Sequence, residues 1–102
     1  MGKILHIKTL TCDEQEDWTG YDRIVLYVNG EAVNGAAFKT HQGRFMGDKV
    51  PFKHEAVVKL VEIDDLDPDD VLGVHTIRSG SSIVEFARGD ARYRMSYEVL
   101  QG

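Results

Sequence analysis

The 102-residue sequence has one cysteine, Cys12. No disulfide can therefore form within the chain, and a lone thiol fits a reducing compartment. No apolar run approaches the roughly 20 residues of a membrane-spanning helix. The start, Met1-Gly2-Lys3-Ile4-Leu5, lacks the apolar core and small-residue cleavage site of a secretory leader. His6 stands where a myristoylation signal would have Ser or Thr. Together these absences lead us to expect a cytoplasmic protein of one domain, residues 1–102, large enough for a single core. Basic residues are also short: 12 Lys and Arg against 17 Asp and Glu leave a net charge of −5. That balance argues against nucleic acid as a partner.

The shortage of base is local. From Thr9 to Asp22 the chain has five acids (Asp13, Glu14, Glu16, Asp17, Asp22) and no Lys or Arg. From Leu60 to Ile77 it has six (Glu62, Asp64, Asp65, Asp67, Asp69, Asp70), again without a base. The rest of the chain carries 6 acids against 12 bases. Two carboxylates about 5 Å apart repel by roughly 1–3 kcal/mol at surface-like dielectrics. Such stretches must stay splayed in water or hold a cation.

Strand signals dominate, and helix periodicity is missing. Lys3 to Lys8 reads as a first strand and Arg23 to Val28 as a second. The second strand ends at Asn29-Gly30, the strongest short signal for a hairpin turn. Glu31 to Val33 reads as the returning strand, closed by Asn34-Gly35. Residues 36–54 are punctuated by Gly43, Gly47 and Pro51 and give no clear element. Ala56 to Ile63 is nearly continuous in apolar character, as a central strand of a sandwich is. Val71 to Ile77 and Ile83 to Ala87 follow. Ala91, Tyr93, Met95, Tyr97 and Val99 then alternate with Arg92, Arg94, Ser96 and Glu98, one face to a core and one to water. The pattern predicts an antiparallel β-sandwich of about seven or eight short strands.

In a sandwich, loops from strands distant in sequence gather at one end, so the two base-free stretches can converge there. Calcium takes six to eight hard oxygen ligands in flexible geometry, a demand that clustered carboxylates meet. Cys12 is the one sulfur ligand in these stretches and no imidazole cluster accompanies the acids, which disfavours zinc and copper. The EF-hand pattern fails. With Asp65 as its first position, Asp70 falls where glycine is needed and Thr76 where the bidentate glutamate is needed.

Glu62, Asp64 and Asp70, followed by Val71-Leu72-Gly73, closely resemble the third top loop of C2 domains, with Leu66 as its apolar tip. Leu10 and then Asp17-Trp18-Thr19-Gly20-Tyr21-Asp22 resemble the first C2 loop. The chain is also similar to short C2-like sandwich domains of bacterial proteins of unassigned role. The resemblance implies a non-enzymatic, C2-like module with calcium held by Asp17, Asp22, Glu62, Asp64 and Asp70, and Glu16 and Asp67 in reserve. It further implies that Trp18 and Leu66 can touch a membrane or a partner at the loop tips. Packing of Trp18 against the sandwich end is the reading we prefer for that residue. The sequence also departs from the family. Asp22-Arg23-Ile24 replaces the usual Asp-Pro-Tyr, the gap from Asp17 to Asp22 is one residue short, and Glu62 replaces an aspartate.

The plain alternative is a solvated acidic surface. A second functional reading is a metal-independent interaction domain that sets its acidic end against a basic partner protein.

Overall fold

The computed structural model describes residues 2–15, 20–63 and 68–102. These residues form nine strands and no helix: β1 (Lys3–Glu14), β2 (Asp22–Val28), β3 (Glu31–Phe38), β4 (Gly43–Phe45), β5 (Lys49–Phe52), β6 (Ala56–Glu62), β7 (Asp70–Ile77), β8 (Ser81–Arg88) and β9 (Ala91–Gln101). All pairings are antiparallel, and they make two sheets. One runs β8-β9-β1, with β4 and β5 taking successive halves of the far edge of β1. The other runs β3-β2-β6-β7. This is an antiparallel β-sandwich.

Alternation creates the core between the sheets. On β2, Ile24, Leu26 and Val28 point inward and are buried, as are Val58 and Leu60 on β6. From the other sheet come Leu5, Ile7, Leu10, Cys12, Phe86, Tyr93 and Met95. Fully burying a side chain such as Leu60 contributes about 1.5–3 kcal/mol. Asn29 (φ 51°) and Gly30 (φ 84°) form the expected hairpin between β2 and β3. The Asn29 amide also ties down the start of β6. Its Oδ1 accepts from Val57 N at 2.8 Å, and its Nδ2 donates to Glu55 O at 3.2 Å.

The sheets come closest where β7 meets β8. A Cβ at Gly73 would lie 3.0 Å from Cδ1 of Phe86 and 3.4 Å from its Cα. The His75 ring meets the Phe86 ring edge-on with centroids 5.0 Å apart, and a ring nitrogen bonds the Glu85 carbonyl.

Three elements differ from their sequence-based boundaries. β1 continues six residues past Lys8, because Leu10 and Cys12 resume the inward face after a bulge between Ile7 and Thr9. Asp13 and Glu14 therefore belong to a strand. β3 runs through Asn34-Gly35 to Phe38, its register with β2 holding over those residues. Residues 36–54 resolve into the end of β3, a turn at 39–42, β4 and β5. Across the β1 bulge, Met46 N donates to Lys8 O at 2.8 Å and Gly47 N to Ile7 O at 3.0 Å, which links β4 to β5.

The strand directions place the strand termini Glu14, Asp22, Phe38, Gly43, Glu62, Asp70, Arg88 and Ala91 at one end of the sandwich. The chain ends lie at the other: Lys3 pairs with Gln101, and Gly102 N donates to Gly2 O at 3.1 Å.

Candidate functional site: the acidic end

Of the proposed ligands, the structure describes Asp22, Glu62 and Asp70. Asp17, Asp64, Glu16 and Asp67, with the proposed tip residues Trp18 and Leu66, lie outside the described residues.

The three described acids share one end and one face of one sheet. Asp22 opens β2, Glu62 closes β6, and Asp70 opens β7. Glu62 is the cross-strand partner of both Ile24 and Asp70. Cross-strand partners share a face, and residues two apart on a strand share a face as well. Glu62, Asp70, Ile24 and Asp22 therefore all lie on the inward side of the sheet. The ladder ends there with Ile63 N donating to Arg23 O at 2.8 Å.

Their environments differ. Asp22 is 1% exposed and is the one charged side chain fully buried among the described residues. A buried charge is costly unless it is hydrogen-bonded. Tyr93 Oη supplies one such bond, donating to Asp22 Oδ2 at 2.8 Å. Asp70 is partly exposed, with Arg88 Nη2 4.0 Å from its Oδ1. Arg88 Nη1 also reaches Val71 O at 3.4 Å. An exposed pair at that separation is worth little.

The first acidic stretch is anchored at its base. Gln15 N donates to Thr40 Oγ1 at 3.0 Å, and Thr40 N donates back to Gln15 Oε1 at 2.9 Å. Gln15 Nε2 reaches Gly20 O at 3.0 Å. Asp13 faces a two-pronged contact from Arg94, at 2.6 and 2.9 Å. That hydrogen bonding holds the Asp13 carboxyl below its usual range. Burial pushes the Cys12 thiol up, with Asp22 and Asp13 adding to the effect. Cys12 is therefore a protonated core residue and no nucleophile.

The donors suit a hard cation in kind: every one is a carboxylate. Among the described residues, no group of three or more His, Cys, Asp or Glu could hold a metal ion. A complete shell thus requires acids from 16–17 and 64–67. Sequence reasoning missed Tyr93 and Arg88, which reach the acids from the opposite sheet. The inward parity of Tyr93 was visible in the alternation of β9, but its partner was not.

No protein-family model matches the chain, and no curated protein matches it. Among solved structures, it is similar to one described as "Structure of a C2 domain", with a TM-score of 0.57 and 14% identity over 98% of each chain. At that identity the likeness is one of fold. No helix among the described residues is long and apolar enough to cross a membrane.

Proposed function

We propose that this is a non-enzymatic module that holds calcium between its two acidic stretches, residues 13–22 and 62–70, for calcium-dependent stabilisation or docking to a protein partner. The observation that carries the reading is the pairing of Glu62 with Asp70 on the inward face, with Asp22 on the neighbouring strand at the same end. Like charges directly opposite in an antiparallel pair destabilise it, and a bound dication removes that penalty. Glu62, Asp70 and Asp22, joined by Asp17 and Asp64, would supply the oxygens, with Glu16 and Asp67 completing the shell. Calcium would supply charge neutralisation and cross-linking of the two stretches. Leu66 would be the contact offered to a partner once the end is neutral, with Trp18 packed against the sandwich end.

A second reading uses the same end, without metal, against a basic protein. It is favoured by the arginines that already meet acids there, Arg94 at Asp13 and Arg88 at Asp70.

The test is the melting temperature in excess EGTA and across a calcium titration, with magnesium as control. A ligand bound only by the folded state at a hundredfold its Kd adds about 2.7 kcal/mol, a rise on the order of 10 °C for a domain of this size. A saturable, calcium-selective rise that Asp64→Asn or Asp70→Asn abolishes supports the first reading. No shift up to several millimolar removes calcium and leaves the protein-binding reading.

A further inference from the structure

The outer faces of the two sheets differ in chemistry. On the β8-β9-β1 sheet, β9 turns Arg92, Arg94, Ser96 and Glu98 outward, the polar cover of a sheet with one wet side. The β3-β2-β6-β7 sheet has no such cover. Ile24, Leu26 and Val28 fill the core. Alternation along β2 and β6, with pairing to β7, puts Val25, Tyr27, Val57, Val61, Val71 and Val74 on the outward side. β3 adds only alanine or glycine there, at positions 32, 35 and 37. Val74 is 53% exposed and Val71 38%. Strands buried on both sides read as near-continuous apolar runs, whereas a strand with one wet side alternates. β2 and β6 are runs of the first kind, yet nothing in the fold lies over their outer side. A contiguous exposed apolar surface marks an interaction site.

The charge on this face has one sign. The acids of these strands, Asp22, Glu31, Glu62 and Asp70, all take inward register positions. Arg23 and Lys59 are the charges on the outward side, and Lys59 Nζ stands 5.0 Å over the Tyr27 ring.

We propose that this face is a docking surface for an amphipathic helix of a partner protein, its apolar stripe flanked by acidic residues. Charge and area select that occupant. A second copy would set Arg23 and Lys59 against their own kind, with no acid on either face to answer them. Four strands of about seven residues, spaced about 4.8 Å apart, give a face of roughly 400 Å². That is half of the approximately 800 Å² each partner gives to a stable complex. A helix about 10–12 Å across fits within the width, and about 14 residues match the length. Its stripe would lie on the valines and the small residues of β3, and its acids would reach Lys59 and Arg23. The acidic end faces the other side of the sheet, and docking here requires no calcium.

The experiment follows amide chemical shifts of the ¹⁵N-labelled chain in excess EGTA. The probes are a helical peptide of about 14 residues, with a leucine and alanine stripe flanked by glutamates, and its twin with lysines for the glutamates. Lys59→Glu and Val74→Glu are the variants, each checked for folding by urea denaturation. The glutamate peptide should shift Val25, Tyr27, Lys59 and Val74, and the lysine twin should bind about tenfold more weakly. Lys59→Glu should invert that order, and Val74→Glu should abolish binding of the glutamate peptide. No shifts at millimolar peptide, shifts centred on another face, or equal affinity for the twins overturns the proposal. Concentration-dependent sedimentation of the chain alone that Val74→Glu abolishes would make a second copy the occupant. Pelleting with phosphatidylserine vesicles that the same variant abolishes would make it a membrane. Either result overturns the helix.

Discussion

The contact between Gly73 and Phe86 yields a stability prediction that does not depend on any ligand. Gly73 pairs with Leu60 on the inward face of β7 and looks directly at β8 of the other sheet. An alanine methyl there would lie 3.0 Å from Phe86 Cδ1, 3.5 Å from its Cβ and 3.4 Å from its Cα. The ring alone could yield, but it is 1% exposed and packed edge-on against His75. The Cα belongs to a paired strand, so relief requires the two sheets to part by a few tenths of an ångström. Overpacking of this kind costs about 1–3 kcal/mol. The reduced freedom of the unfolded chain gives back about 0.4–1 kcal/mol. The net expectation for Gly73→Ala is a loss of roughly 1–2 kcal/mol, or about 4–10 °C in Tm. The assay is urea denaturation of wild type and variant. The midpoint should fall with an unchanged m-value, since the surface exposed on unfolding is the same. Equal or greater stability in Gly73→Ala would show that the sheets tolerate a wider spacing, and the close-approach argument would fail.

Three further outcomes follow from contacts described above. Asn29→Ala removes two bonds to the start of β6 and puts a Cβ-bearing residue without a polar side chain at positive φ. It should cost about 1–3 kcal/mol by denaturant titration. The Asp13 carboxyl is held low by Arg94, so its contribution is present above the unfolded pKa and lost as pH falls through the folded one. Melting temperatures taken downward from pH 5 should drop less steeply in Arg94→Gln than in the wild type, by a small margin because both side chains are about 40% exposed. An identical acid slope would show that the pair contributes nothing. Cys12 is fully buried with a raised thiol pKa. It should react with a thiol reagent only at the rate of opening, and prompt labelling of the native protein would contradict its placement.

Much of this architecture could be read from residue order. The alternation of β9, the apolar run of β6 and the Asn29-Gly30 hairpin all stand in the structure where the pattern put them. The misread parts share a cause. Ile7 and Leu10 are three apart, so the bulge in β1 breaks the period of two and makes Thr9–Glu14 look like the entry to a loop. Asn34-Gly35 has the composition of a turn, yet pairing to β2 holds it extended. β4 has only three residues, all exposed, and forms because β1 offers an edge. At the acidic end, the strand-terminal positions of Glu62 and Asp70 followed from local pattern. The approach of Tyr93 to Asp22, 71 residues apart, did not, because it depends on which strands face each other.

The two chain ends also bear on how such a unit can be joined to others. They leave side by side at the end of the sandwich opposite the acids. The twelve residues of β1, at about 3.3 Å each, set the two ends roughly 40 Å apart. A neighbouring segment grafted at either terminus, or a host protein receiving the whole unit in one of its loops, would meet two adjoining strand ends and need little rearrangement. The acidic end would then sit at the far side of the unit from the host, like the head of a bolt whose shank is set in it.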